Sequence, residues 1–248
     1  MSKDCFNLDK IASALEGLEE TIIYKLIDRA QFALNESIYQ KGKSGFAGFD
    51  DLSLFEIRLK YQEEIDSIFG RFAVPEERPY FKKLPAPQRA LNPENSGFPY
   101  YDFDIVNQSI EIYSSYMELA RRICVPEDDG QYGSSAEHDV FVFQAISRRI
   151  HYGALYVAES KFLERPKQYT KLIMEKDTEG LTDLLTRAEV ERRILTRVRE
   201  KADIIQKTIN IKVRKKIDAG ITLDYYRDTI IPLTKKGEIL YLLNRPIS

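Results

Sequence analysis

The sequence has few of the residues that build metal centres, redox bridges or nucleophilic triads. Only two cysteines occur, Cys5 and Cys124, far apart and without metal-ligand spacing. This argues against a disulfide framework and a zinc site, and it fits a reducing compartment. With two histidines and no cysteine near either, His- or Cys-centred nucleophilic catalysis has little support. No G-x-G-x-x-G turn, Walker loop, H-E-x-x-H helix or nucleophile elbow is present. Neither a metal nor a cofactor is expected.

An excess of one charge is lacking as well. A formal net charge of -2 and an isoelectric point near 5.9 argue against a nucleic-acid partner. The local basic runs, Arg192-Arg193 and Lys212 to Lys216, read as solvated helix faces. No apolar run approaches the length of a membrane span, and the start, Met-Ser-Lys-Asp-Cys, has no secretory apolar stretch. A cytoplasmic protein with no membrane partner is expected.

What remains is an ordinary balance, 43% hydrophobic and 31% charged, in a chain of 248 residues that is long enough to bury a sizeable core. Ile11, Leu15, Leu18, Ile22, Leu26 and Ala30 recur at helical spacing and predict a helix from Asn7 to Asn35. A Gly-rich loop follows, then a helix from an N-cap at Asp51 to near Phe69. Six prolines between Phe72 and Tyr100 exclude a long helix there, while Phe72, Tyr80, Phe81, Leu84 and Phe98 give that loop apolar anchors.

Helices are predicted again over 104–123, and from a cap at Ser134 or Ser135 to Leu163. Pro166 suits the first turn of a short helix to Met174, and Asp177 opens another to Thr186. A charged helix is expected from Ala188 to Lys216, broken at Gly220. Thr222 then caps two last pieces that kink at Pro232 and reach Asn244. No alternating strand pattern appears. The expectation is one all-α domain over 1–248, a multi-helix bundle with long helices and a proline-rich loop.

Within that pattern Arg149, Lys161, Glu191 and Glu238 stand as charges in otherwise apolar helical settings. Buried ionised groups are costly, so several of them converging would imply a bound ion or an ionic substrate.

The stretches Ser147-Arg-Arg-Ile-His-Tyr-Gly and Val157-Ala-Glu-Ser-Lys-Phe carry a family resemblance. So do Glu20-Thr-Ile-Ile-Tyr-Lys-Leu-Ile-Asp-Arg, Pro75-Glu-Glu-Arg-Pro-Tyr-Phe, Tyr132-Gly-Ser-Ser-Ala, Tyr169-Thr-Lys-Leu-Ile and Ile231-Pro-Leu-Thr-Lys, in that family's order. Over nearly its full length the chain resembles the all-helical chorismate mutases of fungi and plants. The resemblance implies a Claisen rearrangement of chorismate to prephenate, with no cofactor and a small anionic substrate. It implies Arg149 as a carboxylate clamp, Lys161 at a carboxylate and the ether oxygen, and Glu191 at the ring hydroxyl. Glu238 would lie on the other side of the ether oxygen, with Thr234 one turn before it. A homodimer is implied, and also an aromatic amino-acid site near Arg71, Gly133 and Ser134.

Several positions depart from the family pattern. Ala12 stands where the first helix has an arginine, and Gly17 where another basic residue is common. Arg187 replaces a neutral polar group one turn before Glu191, and it is a candidate substrate-binding cation from a different wall. Arg149 and Lys161 are twelve residues apart, against eleven in the family pattern. On an ideal helix twelve steps rotate by about 120°, so a π-bulge near Gly153 is needed if both cations are to share a pocket. Gly70 replaces an arginine and Glu137 a neutral residue near the amino-acid site, which is expected to weaken effector binding. The same departures would suit a fold repurposed for another small substrate, or a non-catalytic homologue.

Overall fold

The computed structural model describes residues 3–89, 97–99, 102–209 and 212–247. Pro93 and the parts of the proline-rich loop at 90–96 and 100–101 lie outside the described residues. Among those described, every regular element is helical, and the only strand-like pairing is an isolated bridge between Ala33 and Val125. No helix among them is long and apolar enough to cross a membrane.

Helix α1, Leu8–Arg29, starts where the Asn7 side chain accepts hydrogen bonds from the amides of Asp9 and Lys10. It ends six residues before the expected Asn35, and Arg29 supplies the reason. The fully buried Arg29 guanidinium donates to the carbonyls of Ala33 and Leu34, folding the chain back under the helix end. Its Nε lies 2.5 Å from Asp139, which is also fully buried and accepts from Tyr39 and Tyr116. Helix α2, Leu54–Ile68, is capped by Ser53 rather than Asp51. Ser53 and Glu56 form a reciprocal capping box.

Helix α3, Ser109–Ile123, follows a short 3-10 turn, Phe103–Val106, that replaces the start expected at Asp104. Helix α4, Tyr132–Tyr152, begins before the expected caps: Ser134 is exposed in its first turn, and the Ser135 hydroxyl is buried against Asn35. A five-residue π-helix, Gly153–Val157, joins α4 to α5, Ala158–Glu164. The predicted bulge is therefore present, and it begins at the expected glycine.

Helices α6, Pro166–Glu175, and α7, Thr178–Leu185, begin as expected, α6 with Pro166 in its first turn and α7 capped by Asp177. Helix α8, Ala188–Lys207, stops well short of Lys216. A continued helix would stack Lys212 on Lys216 one turn apart, a repulsive pair. Instead the chain turns back: Lys215 exchanges two hydrogen bonds with Gln31 at the end of α1, and the Ile217 amide donates to Gln206. The expected continuation through 210–211 lies outside the described residues.

Asp218, not Thr222, caps α9, Ala219–Tyr225, and Gly220 lies inside that helix. A second π-helix, Tyr226–Ile230, leads into α10, Ile231–Asn244. Pro232 has no N–H to offer and its ring crowds the preceding turn, so the ladder widens upstream of it rather than kinking at it.

Two apolar cores result. One gathers α1, α2, α3, α4 and α8 around residues such as Leu26, Phe55, Tyr116, Ile146 and Val198. The other packs the first π-helix, α5, α6, α7 and α10 around Leu155, Phe162, Leu181 and Tyr241.

Candidate active site

A cavity of about 450 Å³ opens where these two cores meet. Its walls are the first half of α1, the end of α4 with the π-helix and α5, the start of α8, and the start of α10. The π-helix decides what faces it. With the extra residue absorbed over Gly153–Val157, Arg149 and Lys161 line the same cavity despite their twelve-residue separation. Gly153 permits this. A Cβ there would meet Thr234 Cγ2 at 2.7 Å and the Arg149 guanidinium at 3.1 Å. Gly237 plays the same part from α10, where a Cβ would fall 2.5 Å from that of Ala154.

Arg149 is buried, and its Nε and Nη1 have no hydrogen-bond partner among the described residues. Lys161 donates to the Leu185 carbonyl at 2.9 Å and lies 3.4 Å from the Glu238 carboxyl. Burial pushes the Glu238 carboxyl above the usual carboxylate range, opposed first by Lys161 and then by Lys235 and Arg149. Glu191 also lines the cavity, and Lys235 reaches it at 2.7 Å. Thr234 lines the wall one turn before Glu238, its hydroxyl donating to the Ile230 carbonyl at 2.7 Å. Arg187 stands at the rim, paired with Glu164 at 3.1 Å, and both are substantially exposed.

All six residues predicted for catalysis and substrate binding thus meet in one cavity, and Ala12 contributes only a methyl group to its α1 wall. Lys235, Arg193 and Arg197 also line it and were not among the candidates. Helical spacing carried the signal for them. Lys235 precedes Glu238 by three, and Val190, Arg193 and Arg197 recur at i, i+3 and i+7. The lining holds six cations and four carboxylates, an excess of two positive charges when all are ionised. Among the described residues no cluster of His, Cys, Asp or Glu could hold a metal ion.

The regulatory candidates lie elsewhere and are not brought together within one chain. Arg71 bridges Asp66 at 2.8 Å, Glu77 at 3.0 Å and Gln144 at 2.6 Å. Gly133 and Ser134 are exposed in the first turn of α4. Ten residues of helix separate Ser134 from Gln144, about 15 Å at the α-helical rise. Glu137, expected to repel an amino-acid carboxylate, is paired with Arg58 at 3.3 Å.

An all-helical fold whose small cavity is lined by more guanidinium and ammonium groups than carboxylates defines a class by its architecture, a helical bundle with a cationic pocket. No family model matches the sequence. It is 38% identical over 248 residues to the chorismate mutase of Schizosaccharomyces pombe, covering 96% of each chain. The fold is similar to that of the Candida albicans chorismate mutase in complex with L-Trp. The TM-score is 0.89 at 34% identity, over 97% of this chain and 92% of that one. It is similar, too, to AtCM1 with tyrosine bound in its allosteric site, with a TM-score of 0.85 at 34% identity, over 98% of both chains. The chain belongs to the chorismate mutase family, isomerases that convert chorismate to prephenate. A repurposed fold or a non-catalytic homologue finds no support in these relatives.

Proposed function

We propose that this cavity is where the chain rearranges chorismate to prephenate. The observation that carries the proposal is Arg149, a buried guanidinium with two donors left without a partner among the described residues. An uncompensated buried charge costs several kcal/mol, so such a group is retained where an anion completes it. Guanidinium geometry suits a carboxylate, and chorismate carries two.

The reaction breaks one C–O bond and forms one C–C bond within a single molecule. It needs no co-reactant and no net proton transfer. The protein must hold the enolpyruvyl ether in its compact shape and stabilise negative charge growing on the ether oxygen. Arg149 takes one carboxylate. Lys161 and Glu238, side by side on the cavity wall, donate to the ether oxygen from two sides, Glu238 in its protonated form. Glu191, held by Lys235, accepts from the ring hydroxyl. Thr234 keeps the wall beside Glu238 polar, and Arg187 adds to the field that draws an anion to the rim.

Kinetics test this directly. The purified protein should consume chorismate, and Arg149→Ala should lower kcat/KM by about 30- to several-thousand-fold, the cost of truncating one partner of a buried charge pair. Unchanged kinetics in that variant would reject the site.

We also propose a homodimer with an aromatic amino-acid effector site. Arg71 and Ser134 are too far apart to share a ligand within one chain, so a site using both needs two copies. Two solved relatives carry L-Trp or tyrosine. Sedimentation of the purified chain, and its activity with and without tryptophan or tyrosine, test the assembly and the control. A monomer with effector-independent rates would reject both.

A further inference from the structure

If the cavity is the chorismate site, as proposed, it must hold two carboxylates, and one free guanidinium is not enough. Of the six cations that line it, three are already ion-paired within the chain, and Lys161, beside the protonated Glu238, is committed to the ether oxygen. Arg187 lies against Glu164, and Lys235 against Glu191. Arg197 is the most firmly held, forked onto the fully buried Glu19 and reaching Glu16 as well. Among the described residues this leaves Arg149 and Arg193 as the lining cations with neither an ionised carboxylate partner nor a place at the ether oxygen.

We infer that Arg193 is the second guanidinium clamp for the dianionic substrate, acting from α8 in place of the cation that Ala12 does not supply from α1. The helix geometry supports the assignment. Val190, Arg193 and Arg197 share the face of α8 that lines the cavity, and α1 packs against α8. The α1 wall offers only apolar groups and the carboxylates Asp9 and Glu16, so it presents nothing that attracts an anion. Arg193 is exposed, unlike Arg149, so it can swing onto a substrate that has entered and release product afterwards. Such a clamp grips ground state and transition state alike. Its loss therefore falls mainly on KM.

The test is steady-state kinetics of the full chain with chorismate. Arg193→Ala should raise KM by roughly 10- to 100-fold with a smaller change in kcat, and Arg193→Lys should fall between it and the parent. The dependence of kcat/KM on salt should weaken in Arg193→Ala, because one solvent-facing attraction is gone. Arg187→Ala should show a smaller loss than Arg193→Ala. Adding Ala12→Arg to Arg193→Ala should recover at least tenfold in kcat/KM, more than the same change gives in the parent chain, a coupling that a merely structural role would not produce.

The inference is overturned if Arg193→Ala stays within twofold of the parent while Arg149→Ala collapses. The cavity would then be the site and Arg193 a bystander. It is equally overturned if Arg187→Ala carries the loss in KM. If Arg149→Ala is also unchanged, the proposed site itself fails. Because Arg193 is exposed, thermal unfolding of its variants should match the parent and exclude a folding defect.

Discussion

The Lys161 ammonium lies 3.4 Å from the Glu238 carboxyl, with Lys161 12% and Glu238 7% exposed. The two come from helices far apart in sequence, α5 and α10, which pack against each other within the second core. An ammonium beside a carboxyl whose pKa burial raises gives two donors on one patch of wall whenever that carboxyl is protonated. Negative charge growing on an ether oxygen there would be met from two sides.

That arrangement sets a pH dependence. The Glu238 pKa is raised by burial, so its donating, protonated form is lost as pH rises through that pKa. We expect kcat to fall as pH rises, and Glu238→Gln, which donates at every pH, to flatten the profile. A flat parent profile from about pH 5 to 8, with chemistry limiting, would remove Glu238 from the role.

Gly153 is the second lever. A methyl group there meets Thr234 Cγ2 at 2.7 Å and the Arg149 guanidinium at 3.1 Å, so Thr234 must turn or α10 shift, and Arg149 must give way by a few tenths of an ångström. Gly153→Ala is expected to cost about 1–3 kcal/mol of stability by overpacking, and to lower kcat/KM at least tenfold by moving Arg149. Urea unfolding and steady-state rates on one preparation check both.

His151 predicts the acid limit of the fold. It is fully buried, and its Nε2 accepts the Gln108 amide at 3.0 Å, which requires an unprotonated nitrogen. Burial, with a smaller push from Arg78, lowers its pKa to about 3. The unfolded chain takes up this proton below about pH 6.5, so the contribution is complete above that pH and is lost as pH falls, by about 1.4 kcal/mol per unit until the folded pKa is reached. Thermal midpoints should drop between pH 6.5 and 4.5, less steeply in His151→Gln, whose amide oxygen can accept the same bond.

Arg29 and Asp139 form the buried ion pair that ends α1. Arg29→Met would leave Asp139 buried among the hydroxyls of Tyr39 and Tyr116 with no cation. A loss of about 3–5 kcal/mol is expected in urea unfolding, the cost of breaking a buried pair from one side. Below the unfolding transition kcat should be unchanged, since the pair lies outside the cavity lining.

Much of this was legible in the sequence because helical periodicity and family motifs are local signals. Arg149 and Lys161, the bulge at Gly153 and the first-turn Pro166 are written within one helix or one turn. What escaped was set by partners distant in the chain. The end of α1 depends on Arg29 reaching Asp139, 110 residues away, and the end of α8 depends on Lys215 meeting Gln31, 184 residues away. The ion pairs that occupy Lys235 and Arg197 were equally out of reach, and they single out Arg193. Composition and spacing show that a cation is present; only packing shows whether it is already spoken for.

The most direct measurement is the rate of chorismate loss with the parent chain and with Arg149→Ala, followed by absorbance under identical conditions. The account predicts turnover by the parent and a fall in kcat/KM of about 30-fold or more in the variant, with the fold intact by circular dichroism. Equal turnover by the two proteins would contradict it.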